Sequence, residues 1–125
     1  GVICAVTPST HPVRTLVNNA IGIIAAGNAV VVNPHPSAKV VSSHAVELLN
    51  EAIVRAGGPA NLVASIGAPT IESADELVHH RLVRLVLVTG GAAVARAAIA
   101  FLTLRLAARA SAAPPAPNTS RPLRV

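Results

Sequence analysis

Three short clusters carry the residue types that could hold a ligand. Thr7-Pro8-Ser9-Thr10-His11 follows the apolar run Val2 to Val6, and Asn33-Pro34-His35-Pro36-Ser37 follows Ala29 to Val32. Thr89-Gly90-Gly91 closes a third run that begins at Leu82. Hydroxyl, amide and imidazole groups can hydrogen-bond a sugar or phosphate, and glycine lets backbone N–H groups approach one closely. Each cluster also has a plain structural reading. Pro12 suits the first turn of a helix, the Pro34–Pro36 segment is a turn after which Ser37 can cap the next helix, and paired glycines make a tight bend. Position favours binding for the first and third clusters, because parallel α/β sheets take ligands at the carboxyl ends of their strands. For Asn33, His35 and Ser37 the two readings stand level. Lys39 reads better as a solvated lysine than as a phosphate partner.

The remaining reactive residue types point to no chemistry. Cys4 lies in the middle of an apolar run, whereas a reactive thiol needs exposure and a positive neighbourhood. It reads as inert core. As the only cysteine it excludes an internal disulfide and a multi-cysteine metal site. His79 and His80 are adjacent and His44 is distant, which is not ligand spacing, so no metal site is expected.

The elements that must position these clusters follow from pattern. Val2 to Val6 and Ala29 to Val32 are continuous apolar runs, as strands buried on both faces require. Between them Leu16, Ala20, Ile23 and Ile24 recur at helical spacing, and Gly27-Asn28 ends the helix. A helix joining two buried strands implies a right-handed parallel crossover. The next helix runs from Ser37 to about Ala56, with Val40, Val41, Ala45, Leu48, Leu49, Ala52 and Ile53 expected on its inner face, and Gly57-Gly58-Pro59 stops it. A third strand is expected near 62–66 and a short helix from Thr70 to His79, with Glu72 and Asp75 near its positive end. A fourth strand is expected near 84–89. A further helix is expected from Ala92 to about Arg109. The fold class is α/β: a partial Rossmann-like parallel sheet with flanking helices and an irregular, proline-rich tail from Ser111.

Composition fits this plan. Of 125 residues, 52% are hydrophobic and 12% charged, a balance suited to buried parallel strands and to one core. Phe101 is the only aromatic, so the core is aliphatic and each side chain contributes less than a ring would. The net charge of +5 comes largely from Arg96, Arg105, Arg109, Arg121 and Arg124. Without a stacking platform or a reading motif, it does not make a nucleic-acid binder. No apolar run reaches the length needed to span a bilayer, and no signal-peptide pattern opens the chain. The default origin is therefore cytoplasmic.

Four segments together carry a family resemblance: AVTPSTHP (Ala5 to Pro12), AAGNAVVVNPHPSAK (Ala25 to Lys39), AGGPANL (Ala56 to Leu62) and LVTGG (Leu87 to Gly91). Their order and spacing, over about Gly1 to Ala98, resemble the cofactor domain of aldehyde dehydrogenases. The Asn33-Pro34-His35-Pro36 turn resembles the coenzyme-A-acylating branch, whose propionaldehyde and acetaldehyde dehydrogenases include enzymes of bacterial microcompartments. That compartment is an alternative to a free cytoplasmic location.

The resemblance implies a partial NAD(P)-binding domain over residues 1–100, with a divergent helix end and tail over 101–125 that reads as disordered. A loss of reading frame near Phe101 is an alternative account of that divergence. The resemblance also implies cofactor contacts at Thr7, Pro8, Ser9, Asn33, His35, Thr89, Gly90 and Gly91, with NAD or NADP as cofactor and coenzyme A as cosubstrate. Those enzymes use a cysteine thiolate to attack an aldehyde, pass hydride to NAD(P)+ and transfer the acyl group to coenzyme A. That cysteine lies downstream of the LVTGG turn in the family, so the chain is expected to lack a catalytic nucleophile and to be inactive alone. His11 stands where the acylating branch usually has asparagine, which puts its substrate-side role in question. The full enzyme is expected to take a small aldehyde and to form a homo-oligomer, with neither nucleic-acid nor membrane partners. The alternative is a non-catalytic nucleotide-binding or interaction remnant of such a domain. A basic nucleic-acid binder ranks below both.

Overall fold

The computed structural model describes residues 1–92, 94–96, 99–100 and 103. Strand β1, Val2–Thr7, runs through the middle of a four-stranded parallel sheet. Strand β2, Ala29–Pro34, lies on one side of it, paired from Val2 with Ala29 through Thr7 with Pro34. Strand β3, Val63–Ser65, adds beyond β2. Strand β4, Val83–Val88, pairs with the other side of β1, with a register shift between Val2 and Ile3. The order is β3-β2-β1-β4.

Helices cover both faces. Helix α1, Pro12–Ala25, and helix α2, Lys39–Arg55, pack together on one face. There Ile3, Ala5, Val30, Val32 and Val63 of the strands meet Leu16, Ala20, Ile23, Ala45 and Val46. Helix α3, Ile71–His79, lies on the other face, where Cys4 and Val83 meet Val78. Alternate residues of β1 thus serve opposite layers, as the two-residue period of a strand requires. Chain direction explains the two layers. The crossover from β1 to β2 steps one way across the sheet and the crossover from β3 to β4 steps the other, and equal handedness sends their helices to opposite faces.

Local signals set the helix ends. Pro12 opens α1 at a position where its missing N–H costs nothing. At its far end Gly27 takes φ +74, Gly27 N–H donates to Ile24 O at 2.8 Å, and Asn28 N–H donates to Ile23 O at 3.1 Å. This double bond closes the helix, and the positive φ favours glycine. Helix α2 ends the same way, with Gly57 at φ +83 and bonds from Gly57 to Val54 and Gly58 to Ile53. Helix α3 opens on a capping box: Thr70 Oγ1 accepts the Ser73 N–H at 3.1 Å, and Ser73 Oγ accepts the Thr70 N–H at 2.9 Å.

Two local expectations are corrected. Ser37 does not cap α2. It lies inside a short 3-10 turn, Pro36–Ala38, and His35 takes the cap role by accepting the Ser37 N–H at Nδ1. The inner face of α2 is Ser42, Ala45, Val46, Leu49 and Ile53, while Val40, Val41, Leu48 and Ala52 point outward. Both faces have helical spacing. The polar Ser42 interrupts the true stripe and hides it from a reading by hydrophobicity. The helix expected from Ala92 to Arg109 lies partly outside the described residues; Ala92, residues 94–96, 99–100 and 103 are helical. The tail from Ser111 lies outside them.

Candidate functional site

The strand order reverses between β1 and β4, since the chain steps from β1 to β2 on one side and from β3 to β4 on the other. Open α/β sheets form their ligand crevice at such a point. Here a cleft of about 830 Å³ opens over the ends of β1, β2 and β4. Thr7, Pro8, Ser9 and His11 line it from the β1–α1 turn, Asn33 and His35 from the end of β2, and Thr89, Gly90 and Gly91 from the end of β4. The structure therefore brings these strand-end residues together around one cleft, whereas Ser37 and Lys39 do not line it.

One wall was missed. Pro69, Thr70, Ile71, Ala74 and Val78, from the start and inner side of α3, also line the cleft. Their signal was available in outline, since the turn after β3 must emerge at the same carboxyl edge as the other three. Nothing in the sequence, however, says that α3 leans toward the β1 end.

The local chemistry of the cleft is selective. Thr7 is 2% exposed, and its Oγ1 has no hydrogen-bond partner among the described residues. Asn19 Nδ2, Ser42 Oγ and Ser65 Oγ share that condition, but only Thr7 of the four lines the cleft. Leaving such a group unpaired costs about 1–3 kcal/mol, which a hydroxyl partner in the cleft would offset. Gly91 has no positive φ, and a Cβ built on it would meet nothing within 4 Å. The chain's own packing does not require glycine there, whereas a ligand lying close to the backbone would. At Gly90 an added Cβ would press on Val94 at 3.3 Å, so internal packing accounts for that glycine.

Asn33 and His35 are partly committed. Asn33 is buried, and its Oδ1 accepts from Ser73 Oγ at 3.2 Å. His35 Nδ1 lies 2.7 Å from Ser37 Oγ and accepts the Ser37 N–H at 3.2 Å. These two contacts commit Nδ1 to Ser37. No Asp or Glu lines the cleft among the described residues, so a phosphate-bearing ligand meets no carboxylate there.

Outside the cleft the titratable groups serve structure. Cys4 is fully buried, and desolvation pushes its thiol up to about 11. The thiolate, the nucleophilic form, is thus scarce at neutral pH. Glu72, in the first turn of α3, is held below the usual carboxylate range by its own backbone N–H and by the Thr70 side chain. His79 lies 3.1 Å from Asp75, and His80 accepts the Leu82 N–H at 3.3 Å. Among the described residues no cluster of three or more metal-ligating side chains occurs, and no helix is long and apolar enough to cross a membrane.

Comparison with known proteins adds an independent line. The profile of the aldehyde dehydrogenase family matches residues 1–109. The acetaldehyde dehydrogenase (acetylating) of Salmonella typhimurium is 50% identical over 115 residues, covering 92% of this chain and 25% of the relative. The chain therefore spans about a quarter of the length of that relative. Among solved structures, the propionaldehyde dehydrogenase from the Clostridium phytofermentans fucose utilisation bacterial microcompartment is similar. It has a TM-score of 0.78 and 44% identity, over 81% of this chain and 23% of that one. An engineered glycolyl-CoA reductase with bound NADP+ has a TM-score of 0.77 and 42% identity, over 81% of this chain and 23% of that one.

Proposed function

The chain belongs to the aldehyde dehydrogenase family, and on that premise we propose that it is part of the NAD(P)-binding domain of a coenzyme-A-acylating aldehyde dehydrogenase. The overall reaction in this reading converts an aldehyde, coenzyme A and NAD(P)+ to acyl-CoA and NAD(P)H. The observation that carries the cofactor assignment is that two residues lining the same cleft have features the chain's own packing does not explain: Thr7 has a buried hydroxyl without a partner among the described residues, and Gly91 has no Cβ where one would meet nothing within 4 Å.

The residues fit the group. Gly90 and Gly91 offer backbone N–H groups at the start of the helical residues that follow β4, where phosphate or nicotinamide can approach. Thr7 supplies a hydroxyl at the end of β1. Asn33 and His35 stand at the end of β2, where a dinucleotide places its adenosine ribose. When bound, the nicotinamide supplies the hydride acceptor. These residues bind and orient; the nucleophile of the family chemistry is not among them. Cys4, the only cysteine, faces α3 from the interior of the sheet and is buried. An aldehyde substrate and residence in a bacterial microcompartment belong to the same proposal, supported by the relatives' names; homo-oligomeric assembly of the full enzyme and a cytoplasmic location as the alternative are further parts of it. The division at residue 100 between cofactor domain and tail is likewise a proposal.

The test is a titration of the isotope-labelled chain with NAD+ and NADP+, followed by NMR. Shifts at Thr7, Ser9, Asn33, His35 and Thr89 to Gly91 are expected, with weak affinity. Shifts confined to the opposite edge, around Asn28, Leu62 and Arg81, would move the site elsewhere. A folded chain that binds neither nucleotide would favour a non-catalytic remnant of the domain.

A further inference from the structure

Asn33 and Ser73 are 40 positions apart, on the end of β2 and in the first turn of α3. Ser73 does not line the cleft, yet its hydroxyl meets the one buried amide that does. Its oxygen accepts the Thr70 N–H at 2.9 Å, so its own proton is left to donate. Two acceptors face that proton, Asn33 Oδ1 at 3.2 Å and Thr70 O at 3.0 Å. An Asn carboxamide has one accepting and one donating end. With Oδ1 engaged by Ser73, Nδ2 is the end of this cleft-lining side chain left to donate.

We propose that Ser73 is a positioning residue: it fixes the Asn33 carboxamide so that Nδ2 donates to an oxygen of the bound nucleotide. This rests on the nucleotide reading of the cleft. Ser73 acts from behind the cleft wall, and its one hydroxyl ties the start of α3 to the end of β2. The chemistry called for is an acceptor oxygen, such as a ribose hydroxyl, opposite Asn33.

The experiment uses the full 125-residue chain, with NAD+ and NADP+ as probes. Ser73→Ala and Asn33→Ala should each weaken binding about fivefold, the scale of one hydrogen bond. The double variant should lose no more than either single one, because both remove the same interaction. Ser73→Thr keeps the hydroxyl and should retain wild-type affinity. Since Ser73→Ala also removes half of a capping box, Ser73→Glu serves as a second variant. Its carboxylate can still accept the Thr70 N–H, but it has no proton to give Asn33. In wild type and Ser73→Thr the Asn33 side-chain NH₂ signals should move on adding nucleotide; in Ser73→Ala and Ser73→Glu they should not. A chain that binds nucleotide with unchanged affinity in Ser73→Ala, or with additive losses in the double variant, would overturn this role and leave the cofactor reading intact. A folded chain that binds neither nucleotide would overturn both.

Discussion

Asn50 binds the backbone of Val63 twice: its Nδ2 donates to Val63 O at 2.6 Å, and its Oδ1 accepts the Val63 N–H at 3.3 Å. Val63 begins β3, an edge strand of only three residues whose outer side has no neighbouring strand among the described residues. The Asn50 carboxamide therefore does for the start of β3 what another strand would do. Asn50→Ala should lower stability by about 1–3 kcal/mol, because it leaves a part-buried donor and acceptor unpaired. Denaturant unfolding would measure it, and hydrogen exchange should quicken first at Val63 and Ala64.

Thr7 and stability should part company. Thr7→Val keeps the shape and β-propensity of the residue while removing the unpaired hydroxyl. Unfolding free energy should stay level or rise by about 1 kcal/mol. Nucleotide affinity should fall about fivefold if that hydroxyl meets the ligand. Calorimetry on the folded variant checks both, and unchanged affinity would remove Thr7 from the site.

Gly91→Val should fold as the parent does, since a Cβ there meets nothing of the chain within 4 Å. It should bind NAD+ and NADP+ more weakly, because a branched side chain at a cleft-lining position would take space that the ligand needs. Equal affinity in parent and variant, measured by titration calorimetry, would argue against close approach at this glycine.

Cys4 should behave as buried core. The thiol is expected to resist aromatic disulfide reagents until denaturant is added. No NAD(P)H should form from propionaldehyde and coenzyme A with this chain alone. Activity that vanished in Cys4→Ala would contradict both statements.

The same group makes a pH prediction. Its folded-state pKa is raised from 9.0 to about 11, so the folded state holds its proton more tightly than the unfolded one. The contribution is complete below pH 9.0 and is lost as pH rises toward about 11, at about 1.4 kcal/mol per unit. Cys4→Ala should flatten that part of the stability profile, as read by unfolding at pH 8, 9, 10 and 11.

Much of this molecule is legible residue by residue. Val2 to Val6 and Ala29 to Val32 declare strands buried on both faces, and Gly27 and Gly57 declare helix ends. Thr7, Asn33 and Thr89 declare themselves as strand-end residues. These are local properties, set by side-chain type and by backbone freedom over a few positions. The parallel crossover follows from them, and with it the expectation that their turns share one edge.

Tertiary structure alone decides which way each helix turns and which distant groups meet. Ala45, Leu49 and Ile53 face inward as expected, yet Ser42 and Val46 are buried where Val40, Val41 and Leu48 were expected. The face is chosen by what lies beneath, including α1 and the start of β3, and hydrophobicity along one helix carries no such information. Similarly, Asn50 announces no bond to Val63, and Ser73 none to Asn33. Those contacts require the β3-β2-β1-β4 order and α3 on the far face. The strands and helix ends were written locally. The cleft's α3 wall came from the packing of segments that the chain holds far apart.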